Sequence, residues 1–130
     1  MSIAAQIFNH ASSFDMGKVL AAPIDVYFDG DNAFQPDILF IANENFSLIE
    51  RDGIHGAPDL VIEILSPSNA YHHFTTKFHI YEKYGVKEYF IVDPEIKEVV
   101  AYSLIDSKFK EVTREAGIIR SQILKMEFVF

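Results

Sequence analysis

The chain has 130 residues, 49% of them hydrophobic, so it is long enough for one domain, residues 1–130, with its own apolar core. This composition excludes a disordered chain, and no apolar run approaches the roughly 20 residues that would span a bilayer. The net charge of −8 argues against histone-like or repressor-like proteins, because these carry a broad basic surface for phosphates.

The first half of the chain predicts one helix and three strands. In chain order these are a helix up to about residue 13 and strands over 19–28, 34–42 and 59–65. The helix is predicted from apolar residues near helical spacing, namely Ile3, Ile7, Phe8 and Phe14. The turn signal DGDN (29–32) separates the first two strands, and the polar stretch 43–58 predicts a connection with one helical turn around 46–49.

The second half predicts a helix followed by strands. Residues 66–69 (SPSN) end the third strand and offer helix caps, residues 71–84 have helical periodicity, and Gly85 is a stop signal. One stripe of this helix is aromatic: Phe74, Phe78, Tyr81 and Tyr84. Strands are predicted over 88–94 and 98–104, and shorter strands within 109–130.

The predicted order is helix, three strands, helix, strand, strand, with extra strands at the C-terminus. A strand, a helix and a further strand make a right-handed parallel crossover, whereas the connections of the first three strands allow an antiparallel meander. We therefore predict an α/β fold in which helices flank one central mixed sheet.

Two acids lie at the ends of neighbouring predicted strands. Asp37 is near the start of the second strand and Glu63 is toward the end of the third, so antiparallel pairing can make them neighbours. Asp59 lies four residues before Glu63, which is about 13 Å along a straight strand, so these two acids cannot share one cation.

Adjacent carboxylates repel each other, and a divalent cation is the simplest remedy. Asp37 and Glu63 are therefore candidate ligands of Mg²⁺ or Mn²⁺, in a site that could activate a nucleophile and cleave a phosphodiester. The negative net charge does not exclude this, since such a site is itself negative until it is loaded. The alternative is that these acids cap strand ends or pair with basic residues.

Lys77 lies on the helix stripe that should face the sheet, three residues after Phe74 and four before Tyr81. A lysine is rarely placed there without a partner, and its stem could carry the ammonium to Glu63. Two interpretations stay open: a half-buried ion pair, or a catalytic group that neutralises charge on a phosphate.

Other candidates are weaker. Four histidines have no metal-ligand spacing and are predicted at the surface: His55, His72, His73 and His79. Ser66 and Ser68 follow a strand without the GxSxG pattern of a nucleophile, so helix capping explains them. Four tyrosines are predicted as core or rim aromatics rather than base-stacking platforms: Tyr71, Tyr81, Tyr84 and Tyr89.

The segments QPDILFI, GAPDLVIEILSPS, K-x3-Y-x2-YGVKEYFIVDP and VVAYSL, in this order, resemble the Uma2 family. The resemblance covers roughly residues 18–104 and implies a restriction-endonuclease-like fold of the PD-(D/E)xK nuclease superfamily, whose core runs αβββαβ. It implies that Asp37 is the acid of the PD element and Glu63 the acid of the (D/E)xK element.

The chain departs from the superfamily pattern at three points. Leu65 stands where the strand lysine would be, which makes Lys77, on the following helix, the implied substitute. His72 and His73 stand near a position that is usually aspartate in the family, and family members usually carry a further N-terminal segment. Asp59 belongs to the GAPDLVIEILSPS block, but its distance from Glu63 along the strand favours a structural role or a second site.

The first functional hypothesis is a Mg²⁺- or Mn²⁺-dependent endonuclease that cleaves DNA, with Asp37 and Glu63 as metal ligands and Lys77 polarising the phosphate. The second is a catalytically impaired nuclease-fold protein that serves as an interaction or dimerisation module. The third is a metal-dependent hydrolase of a small phosphorylated molecule.

The sequence also predicts location and assembly. The absence of cysteine excludes disulfides and thiolate metal sites, and the first residues lack a secretion signal, so we expect a cytoplasmic protein that does not bind membranes. A homodimer is predicted from apolar residues near the C-terminus, which suggest an edge that pairs with another chain. These are Ile118, Ile119, Ile123, Leu124, Met126, Phe128 and Phe130.

Overall fold

The fold is built on a six-stranded sheet, seen in a computed structural model that describes residues 2–66 and 74–130. The chain begins with helix α1 (Ile3–Ser13), which is followed by strands β1 (Gly17–Ala21), β2 (Val26–Tyr27), β3 (Ala33–Phe34) and β4 (Ile38–Ala42). After a 3-10 helix (Asn43–Leu48) come strands β5 (Ile49–Glu50), β6 (Gly53–His55) and β7 (Leu60–Ile64), and then helix α2 (Phe74–Tyr84). The last five strands are β8 (Glu88–Asp93), β9 (Glu98–Ile105), β10 (Lys108–Ala116), β11 (Ile118–Ser121) and β12 (Met126–Val129).

The six strands run in the order β1-β4-β7-β8-β9-β10. Strands β1, β4 and β7 form an antiparallel meander, β7 and β8 are parallel across helix α2, and β8, β9 and β10 are antiparallel again. The predicted mixed sheet and its order of core elements are therefore confirmed. A four-stranded sheet (β3-β2-β6-β5) and the hairpin β11–β12 complete the fold.

Side chains alternate between the two faces of the central sheet, and each face has its own apolar core. Helix α1 and the β11–β12 hairpin cover one face, where Phe40, Ile62 and Phe90 are buried. The second core, beneath helix α2 and the four-stranded sheet, buries Val61 and Tyr89. Glu63 alternates with Ile62 and so belongs to the α2 face.

Prolines divide two of the predicted strands. The predicted strand 19–28 forms β1 and β2, which lie in different sheets with Pro23 between them, and 34–42 forms β3 and β4 with Pro36 between them. A proline cannot donate a ladder hydrogen bond, so pairing stops at both positions. Predicting each run as one strand was wrong.

The stretch 43–58 also differs from the prediction, because it contains the hairpin β5–β6 as well as helical turns. Gly53 makes this hairpin possible: its φ is +143°, and a Cβ there would lie 2.3 Å from the carbonyl oxygen of Asp25. Strands of two or three residues have too little apolar alternation to be visible in a sequence.

The apolar C-terminus is largely internal to the chain. Ile119, Leu124 and Phe128 are each 1% exposed in the core shared with helix α1, so their side chains pack within the chain and are not available to a second copy. Strand β10, predicted to be short, has nine residues. On helix α1 only part of the predicted apolar stripe is buried: Ile7 lies in the core, whereas Phe8 is 54% exposed.

Three predictions lie outside the described residues. These are the caps at 67–69, the first turn of the predicted helix at 71–73 with Tyr71, His72 and His73, and the role of Ser68. Within the residues that the structure describes, no helix combines the length and apolar character needed to cross a membrane.

Candidate active site

Asp37 and Glu63 lie side by side on the α2 face of the sheet. Strands β4 and β7 pair with Ile38 opposite Ile62, so the two acids are the next residues along that ladder. The backbone N–H of Asp37 donates to Glu63 Oε1 at 3.3 Å, and the backbone N–H of Ile64 donates to Asp37 Oδ2 at 2.6 Å. These hydrogen bonds fix both carboxylates to the rigid sheet.

Helix α2 brings two further groups to Glu63. Lys77 Nζ and Tyr81 Oη each lie 3.0 Å from Glu63 Oε2, because residues four apart project from the same face of a helix. The Lys77 side chain is 22% exposed and that of Glu63 is 8% exposed, so this is a largely buried ion pair. The ammonium also lies 5.9 Å from the centre of the Phe34 ring, a favourable position for a cation.

Burial raises the pKa of the Glu63 carboxyl above its ordinary value of 4.5. The ammonium of Lys77 and the hydroxyl of Tyr81 lower this pKa, whereas the negative charge of Asp37 raises it. Below the ordinary pKa, Glu63 is neutral in the folded and the unfolded chain, and the contribution of the neutral form to stability is fully present. This contribution is lost as the pH rises through the raised pKa of the folded state. The charged form of Glu63 is therefore held at a cost to folding.

Tyr81 is the functional candidate that the sequence reasoning missed. Its side chain is fully buried, and burial together with the charge of Glu63 raises the pKa of its phenol well above the ordinary value. The hydroxyl therefore stays protonated near neutral pH and can donate to Glu63. The available signal was its position four residues after Lys77 on one helix face.

Asp59 lies at the opposite end of β7 and has a different set of partners. Its carboxylate accepts hydrogen bonds from the backbone N–H of Ala42 at 2.7 Å, from Asn45 Nδ2 at 3.0 Å and from Lys87 Nζ at 3.0 Å. The side chain is 3% exposed. These contacts tie the start of β7 to the end of β4, which is a structural role.

The donor set of the acid pair fits a hard cation. Among the described residues, no group of three or more His, Cys, Asp and Glu could hold a metal, so the site does not resemble a closed zinc site. Mg²⁺ uses one or two carboxylates and completes its shell with waters and phosphate oxygens. No hydrogen bond from the described residues reaches Oδ1 of Asp37, which leaves that oxygen for a ligand. A cleft of about 30 Å³ opens beside Asp37, Glu63 and Lys77.

The remaining candidates lie elsewhere or take no part. His55 bonds to Asp52 at 2.7 Å on the exposed hairpin, and His79 is exposed on helix α2. Leu65, which the resemblance places where a strand lysine is expected, forms part of the wall of the cleft. Tyr89 also lines the cleft and is buried, in agreement with its prediction as a core aromatic.

Comparisons with known proteins identify the family of the chain and a solved structure with a similar fold. A family model described as "Uma2: Putative restriction endonuclease" matches residues 2–129. The crystal structure of "a putative nuclease belonging to DUF820 from Anabaena variabilis ATCC 29413" is similar, with a TM-score of 0.75 and 19% sequence identity. The match covers 97% of this chain and 72% of that one, and at this identity it shows the fold alone. No curated protein matches the chain.

Proposed function

The chain belongs to the Uma2 family, and on that premise we propose that it is a Mg²⁺- or Mn²⁺-dependent endonuclease that hydrolyses DNA phosphodiester bonds. One observation carries the proposal: Asp37, at the start of β4, donates its backbone N–H to Glu63, near the end of the adjacent β7, and Lys77 reaches Glu63 from the facing helix. Two carboxylates and one ammonium in a cleft are the groups needed to hold a divalent cation and a phosphate together.

The roles of these residues follow from their contacts. Asp37 and Glu63 would hold the ion, which when bound supplies an activated water and offsets negative charge on the phosphate. Lys77 has three N–H donors and uses one on Glu63, so its ammonium can also donate to a phosphate oxygen in the cleft. Tyr81 keeps the Glu63 carboxylate in position.

The proposal is tested by titrating Mg²⁺ and Mn²⁺ into the metal-stripped protein by calorimetry, with DNA cleavage assayed on the same samples. We expect saturable binding in the wild type and loss of both binding and cleavage in Asp37→Asn and Glu63→Gln. Lys77→Met should retain metal binding but lose about 10²- to 10³-fold in cleavage rate, because a charge that stabilises the transition state is removed. The assays are run at a pH of about 8, because loss of the Lys77 ammonium raises the pKa of Glu63 further and a higher pH favours its charged form.

Asp59→Asn is the matched control, because Asp59 is also a buried acid of the β7 segment with a lysine 3.0 Å away. It should lower the urea midpoint and leave metal binding unchanged. If the folded wild type binds neither ion, the proposal is wrong, and a nuclease-fold interaction module takes its place. If Lys77→Met cleaves DNA at the wild-type rate, Lys77 serves only as an ion-pair partner.

A further inference from the structure

A second groove continues from the acid-pair cleft along the same face of the sheet. Leu65 and Phe74 line both depressions, and the groove extends over strands β8, β9 and β10 as far as Arg114. Its volume is about 440 Å³. That lies within the range of about 300–1,000 Å³ found for pockets that bind small molecules.

The floor of this groove is apolar. Ile91 and Val100 are neighbours in the ladder of β8 and β9, and they are only 5% and 8% exposed. Phe74 and Tyr102 line the groove at its sides. Phe74 packs against the apolar core of the α2 face but is only partly buried, so part of its ring surface is exposed in the groove.

The charged groups at the rim are two carboxylates and one guanidinium. Asp93 and Glu98 face each other in the β8–β9 ladder and both line the groove. Glu98 is paired with Arg114 at 3.1 Å, and Arg114 also bonds to Glu111 at 2.7 Å. Among the described residues, Asp93 accepts one hydrogen bond, from the backbone N–H of Glu95 at 3.0 Å, so it keeps acceptor capacity for the exocyclic amino groups of cytosine, adenine and guanine.

We propose that this groove is a nucleobase subsite that takes one unpaired base of the substrate while its phosphate lies at Asp37, Glu63 and Lys77. The proposal rests on the function proposed above and narrows the substrate class to single-stranded or locally opened DNA, since a base inside a duplex cannot enter a pocket. The apolar floor and Phe74 provide the stacking surface, which is the sequence-tolerant part of such binding. The carboxylates provide a preference for bases that carry an amino group.

The test uses free nucleosides, which contain a base but no phosphate and need no metal. We would titrate deoxycytidine, deoxyuridine and deoxyribose into the ¹⁵N-labelled protein and follow the amide shifts of Thr75, Ile91 and Val100 by NMR. We expect deoxycytidine to bind with a dissociation constant on the order of 1 mM, as one stacked base permits. Deoxyuridine, which has a carbonyl in place of the amino group, should bind about tenfold more weakly. Deoxyribose should cause no shift.

Two neighbouring threonines supply a matched pair of variants. Thr75 and Thr76 are both exposed at the start of helix α2, but only Thr75 lines the groove. Thr75→Trp should fill the groove and abolish the response to deoxycytidine, whereas Thr76→Trp should bind it as the wild type does. Neither substitution alters a buried side chain, so both variants should fold.

Three results would overturn the subsite: no shift with deoxycytidine, an equal response to deoxyuridine or deoxyribose, or wild-type binding by Thr75→Trp. Because nucleosides lack the phosphate, this result is independent of metal binding at the acid pair. A chain that binds deoxycytidine as expected but neither ion would keep the subsite and refute the nuclease. A chain that binds either ion and cleaves DNA, but does not bind deoxycytidine, would keep the nuclease and refute the subsite.

Discussion

Two buried acids at opposite ends of β7 show how surroundings decide the role of a carboxylate. Asp59 and Glu63 each have a lysine nitrogen at 3.0 Å. The Asp59 carboxylate accepts hydrogen bonds from a backbone N–H, an amide and an ammonium, and Glu63 also accepts from three groups, so the number of donors does not separate the two acids. Glu63 has a second carboxylate as its neighbour, and the repulsion between the two is what a cation would relieve.

Tyr81→Phe tests whether the helix sets the charge state of this site. The hydrogen bond from Tyr81 lowers the pKa of Glu63, so its removal should raise that pKa further above 4.5. The protonated fraction of Glu63 at a given acidic pH then increases, and metal binding should begin at a higher pH than in the wild type. The pKa is measured by ¹³C NMR titration of the Glu63 carboxyl carbon.

Tyr89→Phe is the control for this experiment, because Tyr89 is also buried beside Glu63 and lines the cleft but makes no hydrogen bond to it. The pKa of Glu63 should change little in this variant. An equal shift in both variants would mean that the loss of a phenol near the site, and not the bond to Glu63, determines the pKa.

The site could be predicted in part because its geometry follows from strand register and helix periodicity. Antiparallel pairing placed Asp37 beside Glu63, and the stripe of α2 placed Lys77 toward the sheet; both arrangements are present in the structure. Their chemical roles stay predictions. The bond from Tyr81 could not be anticipated, because an aromatic residue on a buried stripe is equally well explained by packing.

At the scale of elements, the central sheet was predictable and the small sheet was not. Strands β7, β8 and β9 are each at least five residues long and consist mostly of apolar residues, and they lie where the sequence predicts them. The four-stranded sheet consists of strands of two or three residues that pair across loops. Its pairing depends on tertiary contacts, such as the approach of Gly53 to Asp25, that leave no periodic pattern.

Gly17→Ala tests the close pairing of β1 with β4. A Cβ at this position would lie 2.2 Å from the carbonyl oxygen of Ile41 and 2.9 Å from Cα of Ala42, so the two strands would have to separate. We expect the free energy of unfolding in urea to fall by about 2 kcal/mol or more, which is typical of overpacking against backbone.

Gly30→Ala is the matched control, because a Cβ there meets no atom within 4 Å. Its free energy of unfolding should stay within about 0.5 kcal/mol of the wild-type value. If Gly17→Ala also leaves the free energy of unfolding unchanged, strand β1 can move away from β4 more easily than its contacts indicate.

At the scale of the whole molecule, we propose that the entire chain folds as one domain. The last strands complete the core that helix α1 begins: Ile7 and Phe128 belong to one apolar cluster, and His10 Nε2 lies 2.6 Å from the carbonyl oxygen of Leu124. Chain ends that share a core fold together.

The negative net charge of the chain repels the phosphates of a nucleic acid. It therefore fits a substrate that is bound through a base in an apolar groove better than a substrate that is held mainly by its phosphates.

Phe128→Ala distinguishes an internal C-terminus from an intermolecular one. Phe128 is 1% exposed, so its truncation should lower the free energy of unfolding by about 3–5 kcal/mol, measured in urea. Met126, on the same strand, is 46% exposed, and Met126→Ala should change stability by less than about 0.5 kcal/mol.

The homodimer stays a prediction, supported on this hairpin only by exposed residues such as Met126 and Val129. A fall in sedimentation coefficient for Met126→Ala at unchanged stability would show that β12 pairs with a second copy, whereas an unchanged coefficient would remove this strand as a dimer edge.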